Sequence, residues 1–192
     1  MYSRTARVFI VRWNLKEAVS KSLVRRTEIA KHMECITTRL REMGAKITEF
    51  DDAIRVQRTG PLRRITVKTM PYPGFPTDMQ AQICVCMVLA NGTSRLTESV
   101  YETRFFGYCS ELENMGAKIK INEKTASVTG VGSLRGTTVH AKDLRAGAAL
   151  IIAGLAAEGT TVVKNIHYVE RGYEHIIEKL TGIGANIRRI EE

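Results

Sequence analysis

Two aspartates and three arginines have the types and positions best suited to chemistry in this chain. Asp78 and Asp143 each stand at the start of an apolar run of helical length, to about Ala90 in the first case and to about Ala157 in the second. A helix start presents free N–H groups and the positive end of the helix dipole, which together hold phosphates and carboxylates. Arg104, Arg145 and Arg171 add fork-shaped donors that match the same anions. Helices starting at one level would bring these groups to one cavity suited to a multiply charged substrate. The plainer alternative is that an aspartate at a helix start is a cap, and that a carboxylate held there is a weaker base. An exposed arginine likewise defaults to a surface ion pair of little energetic weight.

The elements that must position these residues are legible around them. All four prolines lie between Pro61 and Pro76, and Pro71-Tyr72-Pro73-Gly74-Phe75-Pro76 forms neither helix nor central strand. It predicts a stiff loop that delivers the chain to Asp78, with Thr77 and Gln80 at capping-box spacing. A pattern Leu-x-x-(Met/Ile)-Gly-Ala-x-Ile occurs three times, beginning at Leu40, Leu112 and Leu180. Before the first copy Met33, Ile36, Leu40 and Met43 recur at helical spacing. Each glycine (Gly44, Gly116, Gly184) falls where a helix end needs a left-handed residue, and a strand should follow. Short alternating runs at Ala53–Val56 and Ala126–Val128 predict further strands, with others around Ile65–Val67 and Thr137–Val139. The runs opened by Asp78 and Asp143 are apolar nearly all round and should be buried helices. Each leads to Gly-Thr (Gly92-Thr93, Gly159-Thr160), a strand and a motif ending in arginine: Tyr101-Glu102-Thr103-Arg104 and Tyr168-Val169-Glu170-Arg171. Gly-Thr here is turn chemistry, since no phosphate-loop motif is present.

The bulk properties narrow the class. The 192 residues are 44% hydrophobic and 26% charged, which suits a globular fold. No apolar run is long enough to span a bilayer. Net charge is +9, favouring an anionic partner, but the basic residues form no block and no nucleic-acid-binding motif occurs. Neither a membrane nor a specific nucleic acid is therefore an expected partner. Cys35, Cys84, Cys86 and Cys109 lack zinc spacing and are expected as buried free thiols. The four histidines make no HExxH motif, so no metal and no cofactor are expected. Residues 1–30 form a divergent basic segment with Glu17 and Glu28 as its only acids. That composition fits either an organelle transit sequence or, the favoured alternative, a weakly structured extension or the altered start of a truncated reading frame. Residues 31–192 are expected to form the main domain.

The proline loop through Gln82, the stretch Glu98–Phe105, Asp143-Leu144-Arg145-Ala146 and Glu170-Arg171-Gly172-Tyr173-Glu174 resemble the UDP-N-acetylglucosamine enolpyruvyl transferases (1-carboxyvinyltransferases). The similarity runs from about Ala30 to Glu192 and covers under half of the family's usual length. It implies an inverted α/β barrel built from repeated βαβαββ units around buried helices. The implied reaction transfers enolpyruvyl from phosphoenolpyruvate to the 3′-hydroxyl of UDP-N-acetylglucosamine, a cytoplasmic step of peptidoglycan synthesis. By this resemblance Asp78 contacts the sugar hydroxyl as its base. Val100 holds UDP-N-acetylglucosamine through its backbone, and Arg171 binds the phosphoenolpyruvate side. Arg104, Asp143 and Arg145 line the same cleft. The family's cysteine, on a mobile loop of its other domain, has no counterpart here; nor does its amino-terminal Lys-Asn pair. The isolated chain is accordingly expected to be inactive, with a separate chain carrying the amino-terminal domain as its partner. The alternative is a non-catalytic UDP-sugar-binding remnant or split-gene product.

Overall fold

The computed structural model describes the backbone of residues 7–12 and 21–25, and all of residues 33–50, 53–101 and 103–191. The chain begins with β1 (Arg7–Arg12), β2 (Lys21–Arg25), α1 (Glu34–Glu42), β3 (Ala45–Glu49), β4 (Ala53–Arg58) and β5 (Thr66–Lys68). A single 3₁₀ turn, Thr77–Met79, then enters α2 (Gln80–Val88), followed by β6 (Thr93–Thr97). A second 3₁₀ turn, Arg104–Gly107, precedes α3 (Cys109–Asn114), β7 (Lys118–Asn122) and β8 (Thr125–Thr129). Next come β9 (Leu134–Arg135), β10 (Thr138–His140), α4 (Leu144–Ala156), β11 (Ala157–Glu158) and β12 (Thr161–Lys164). The last elements are α5 (His167–Glu170), α6 (Ile176–Gly182) and β13 (Asn186–Glu191).

These elements group into two compact units. One contains β2, residues 33–101 where described, and residues 118–132. The other contains β1, residues 103–117 and residues 133–191. Each unit is organised by a helix with no polar face. In the first, Gln80–Val85, Met87 and Val88 of α2 are buried. In the second, Ala146–Ile151, Ala153 and Gly154 of α4 are buried. Both helices match the expectation of interior helices, because a helix apolar on every side has no stable place at a water boundary. The helix before the first glycine motif is different. Of its expected apolar face only Met43 is fully buried, and α1 lies at the surface of its unit.

The strands supply the cover. In the first unit a four-stranded sheet has the order β5-β6-β8-β7, with Val67, Leu96, Ala126 and Val128 fully buried. A second sheet there has the order β2-β4-β3, antiparallel throughout. In the other unit the main sheet has the order β10-β12-β1-β13. Its β10 and β12 are parallel, and β1 is antiparallel to both β12 and β13. Each of Gly44, Gly116 and Gly184 follows a helix and precedes a strand, at φ of +98°, +99° and +95°. A side chain resists this backbone region, so glycine is required where the helix reverses into a strand.

The described part of residues 1–30 departs from the weakly structured extension suggested by its composition. Its strands β1 and β2 are both paired, β1 along its whole length with β13. The cause is non-local: β1 finds its partners about 150 to 180 residues along the chain, and no local signal reports such pairing. The rest of the segment lies outside the described residues.

Because β1 separates β12 from β13, removing residues 1–12 bares one edge of β12 and takes from β13 its only strand partner among the described residues. Amide exchange at 161–164 and 186–191 is expected to accelerate by an order of magnitude or more in that deletion, while exchange in α2 stays slow. Unchanged protection of β13 would show that its pairing with β1 is dispensable.

Candidate functional site

In the unit built on α2, the proline loop closes on itself before reaching Asp78. Met70 N–H donates to Phe75 C=O at 2.9 Å and Gly74 N–H to Pro71 C=O at 2.8 Å. The loop ends in the 3₁₀ turn that carries Asp78, which is exposed. The capping box expected here does not form. Thr77 Oγ1 donates to Glu98 Oε2 at 2.9 Å, and the buried amide of Gln80 points into the interior without a hydrogen-bond partner. The residue capping α2 is Met79, with no side-chain bond to the helix N–H groups.

Val100 lies in the same unit, just past the end of β6, and is exposed. Its N–H donates to Glu98 Oε1 at 2.8 Å, and the next N–H, of Tyr101, donates to the same oxygen at 2.9 Å. Thr69 Oγ1 donates to that oxygen too, at 2.7 Å. Glu98 is completely buried. A buried carboxylate is costly unless its lone pairs are met by donors, and here four donors meet it. In the sequence Glu98 stands out only as the first residue of the stretch Glu98–Phe105. A charged residue at the end of a strand reads as solvated, and only the tertiary structure shows the donors around it. Glu102 of the arginine-ending motif lies outside the described residues.

Arg104, Asp143, Arg145 and Arg171 belong to the other unit, where three elements converge. Asp143 is a true cap of α4: its Oδ1 accepts from Arg145 N–H at 2.7 Å and Ala146 N–H at 2.8 Å. The turn bearing Arg104 ends at Gly107, where an added Cβ would lie 3.0 Å from Asp143 Oδ2. Arg171 is followed by Gly172, where an added Cβ would lie 2.8 Å from the Leu144 methyls. These close approaches gather the three arginine-bearing segments around the start of α4. Arg171 is exposed, whereas Arg104 and Arg145 are half-buried. Lys142 Nζ adds a further cation beside this start, donating to Phe106 C=O at 3.4 Å and Ser110 Oγ at 3.3 Å. The arrangement concentrates positive charge at a helix N-terminus, which suits an anion.

The cysteines do not join either cluster. Cys84 and Cys109 are buried, and burial pushes the Cys86 thiol up to about 11. All four are free. Among the described residues no cluster of histidine, cysteine, aspartate and glutamate could hold a metal ion. A cavity of about 300 Å³ lies beside the proline loop, lined among others by Arg39, Lys68, Met70 and Phe75. None of the six candidate residues lines it. No helix among the described residues is long and apolar enough to cross a membrane.

Residues 18–180 match the family model for EPSP synthase (3-phosphoshikimate 1-carboxyvinyltransferase). The chain belongs to this enolpyruvyl transferase family. It is 52% identical over 164 residues to UDP-N-acetylglucosamine 1-carboxyvinyltransferase 3 of Caldanaerobacter subterraneus, covering 85% of this chain and 39% of that protein. It is 51% identical over 163 residues to the UDP-N-acetylglucosamine 1-carboxyvinyltransferase of Halothermothrix orenii, again covering 85% and 39%. The chain thus spans about two-fifths of the length of these relatives, a carboxyl-terminal portion. Among solved structures, the enolpyruvyl transferase NikO from Streptomyces tendae superposes with a TM-score of 0.82 at 28% identity, covering 90% of this chain and 41% of that one. EPSP synthase from Acinetobacter baumannii shares the fold, with a TM-score of 0.67 at 17% identity over 89% of this chain and 44% of that one.

The cap and its neighbours make a direct prediction. Asp143→Ala is expected to cost about 1 kcal/mol in urea unfolding, because two helix N–H groups lose their acceptor. Asp143→Asn should recover most of that loss. An alanine variant as stable as the parent would show that the cap contributes nothing.

Proposed function

We propose that this chain forms the carboxyl-terminal part of a UDP-N-acetylglucosamine 1-carboxyvinyltransferase. The reaction is transfer of enolpyruvyl from phosphoenolpyruvate to the 3′-hydroxyl of UDP-N-acetylglucosamine with release of phosphate, in cytoplasmic peptidoglycan synthesis. The observation that carries this is about 50% identity, over some 85% of the chain, to proteins bearing that name. The βαβαββ repeat and the inverted barrel belong to the same proposal. They are supported by the three glycine turns and by two sheets of matching order, in which a parallel pair continues into two antiparallel strands.

In this proposal Asp78 meets the sugar hydroxyl and accepts its proton. Its exposed place on an anchored turn supports that role, since reach and orientation come before basicity in a general base. Val100 holds the UDP-sugar through its carbonyl, because its N–H is already given to Glu98. Arg171 takes the phosphoenolpyruvate side. Arg104 and Arg145 add positive charge around the start of α4, where Asp143 orders the helix end. The proton-donating cysteine is assigned to the remaining length of the relatives. A separate chain carrying that part is the proposed partner. Three of the cysteines here support the assignment, since Cys84 and Cys109 are buried and burial pushes the Cys86 thiol up to about 11. For the chain by itself, the alternative of a UDP-sugar-binding protein without turnover draws on the same observation.

Titration calorimetry with UDP-N-acetylglucosamine is expected to show saturable binding, weakened roughly tenfold to a hundredfold in Asp78→Ala by loss of a hydrogen bond to a charged group. No binding by the parent chain would refute the proposal. The pure chain is expected to release no phosphate from phosphoenolpyruvate plus UDP-N-acetylglucosamine. Steady phosphate release would overturn the assignment of the proton donor to another polypeptide.

A further inference from the structure

Asp78 and Val100 are both exposed, lie in different loops, and are joined by one carboxylate. Glu98 Oε2 accepts from Thr77 Oγ1, which fixes the turn holding Asp78. Glu98 Oε1 accepts from the N–H groups of Val100 and Tyr101, which fixes the segment after β6. The third donor to Oε1, Thr69 Oγ1, sits just past β5 and itself accepts from Ser99 N–H at 2.9 Å. Ser99 Oγ donates back to Thr69 C=O. Glu98 N–H is held by Lys124 C=O at 2.8 Å. The carboxylate therefore ties the ends of two parallel strands to the turn that opens α2.

We infer that Glu98 is a positioning residue: it sets the distance between the Asp78 carboxylate and the Val100 carbonyl, and so shapes the subsite for the sugar of a nucleotide sugar. The ligand named here rests on the function proposed above; the clamp itself does not. Three donors converge on one oxygen and a fourth on the other, so the position of the carboxyl group fixes all four donors together. A glutamine keeps an acceptor at Oε1 and offers an N–H to Thr77 Oγ1, which can rotate to accept. An alanine leaves the buried Thr69 hydroxyl, the half-buried Thr77 hydroxyl and two backbone N–H groups without their acceptor. The two substitutions thus separate geometry from mere presence in the core.

Amide exchange of the free chain decides the clamp without any ligand. In Glu98→Ala the Val100 and Tyr101 amides should exchange at least about tenfold faster while α2 amides 83–88 keep their rates. In Glu98→Gln they should stay within about threefold of the parent. Unchanged exchange in Glu98→Ala, or equal acceleration through α2, would overturn the inference, the second by making Glu98 an ordinary core residue. If Glu98→Ala does not fold, Thr77→Val removes the Asp78 arm alone. Exchange should then accelerate at 78–80 with Val100 still protected, and an unchanged rate at 78–80 counts against the clamp. Calorimetry with UDP-N-acetylglucosamine adds the functional readout: affinity should fall about tenfold in Glu98→Ala and Thr77→Val and return in Glu98→Gln. Parent-like affinity in all three, despite faster exchange, would overturn the positioning role. A parent chain that does not bind refutes the proposed function, and exchange at Val100, Tyr101 and 78–80 still upholds or overturns the clamp.

Discussion

The two helices without a polar face are the constraint on which everything else depends. A surface helix is stabilised by one buried stripe and tolerates water on the other side. α2 and α4 have no such side, so each must be enclosed by elements of its own unit. Sheets are the economical cover, because one face of each strand can pack inward while the other stays wet. The alternating burial of β8, with Ala126 and Val128 inward, follows from that demand. So does the recruitment of β1: without it, β12 and β13 would share no neighbour beside α4.

Burying a helix makes its first turn a problem, since N–H groups there have no partner within the helix. The two units solve it differently, and the difference separates two aspartates that look alike in sequence. At α4 the Asp143 side chain bridges two N–H groups, so its carboxylate is committed to structure. At α2 the chain enters through a 3₁₀ turn capped by no side chain. Asp78 is carried outward on that turn, and the hydroxyl of Thr77 is turned away from the helix to Glu98. Pattern alone assigned the same cap to both positions. The structure gives that cap to Asp143, and beside Asp78 it ties Thr77 into a hydrogen-bonded scaffold whose centre is a different carboxylate.

What could be read in advance was local. The glycine after each amphipathic run, the strands beginning at Ala45 and near Ala117, and the start of α4 at Asp143 all depend on residues within a turn or two of one another. What escaped was set by distance. Glu98 acquires its meaning from Thr69 and Thr77, both more than 20 residues away. The strand character of residues 7–12 depends on partners near the far end of the chain. The candidate residues show the same division. Their types and spacings marked them, but which of them stand together required the fold: Asp78 and Val100 in one unit, Arg104, Asp143, Arg145 and Arg171 in the other.

That division has a chemical side. Groups that hold an anion work through charge and fixed dipoles, and they tolerate solvent. The arginines around the start of α4 are of this kind, and so are exposed or half-buried. A group that gives a proton to carbon must instead be an accessible acid with a pKa matched to the task. The Cys86 thiol, pushed up to about 11 by burial in α2, fails the second requirement, and the buried Cys84 and Cys109 fail the first. The same apolar surroundings that enclose the helix disable the thiols within it. In α2 the stability of the core and the reactivity of cysteine are opposed by one cause, burial among apolar side chains.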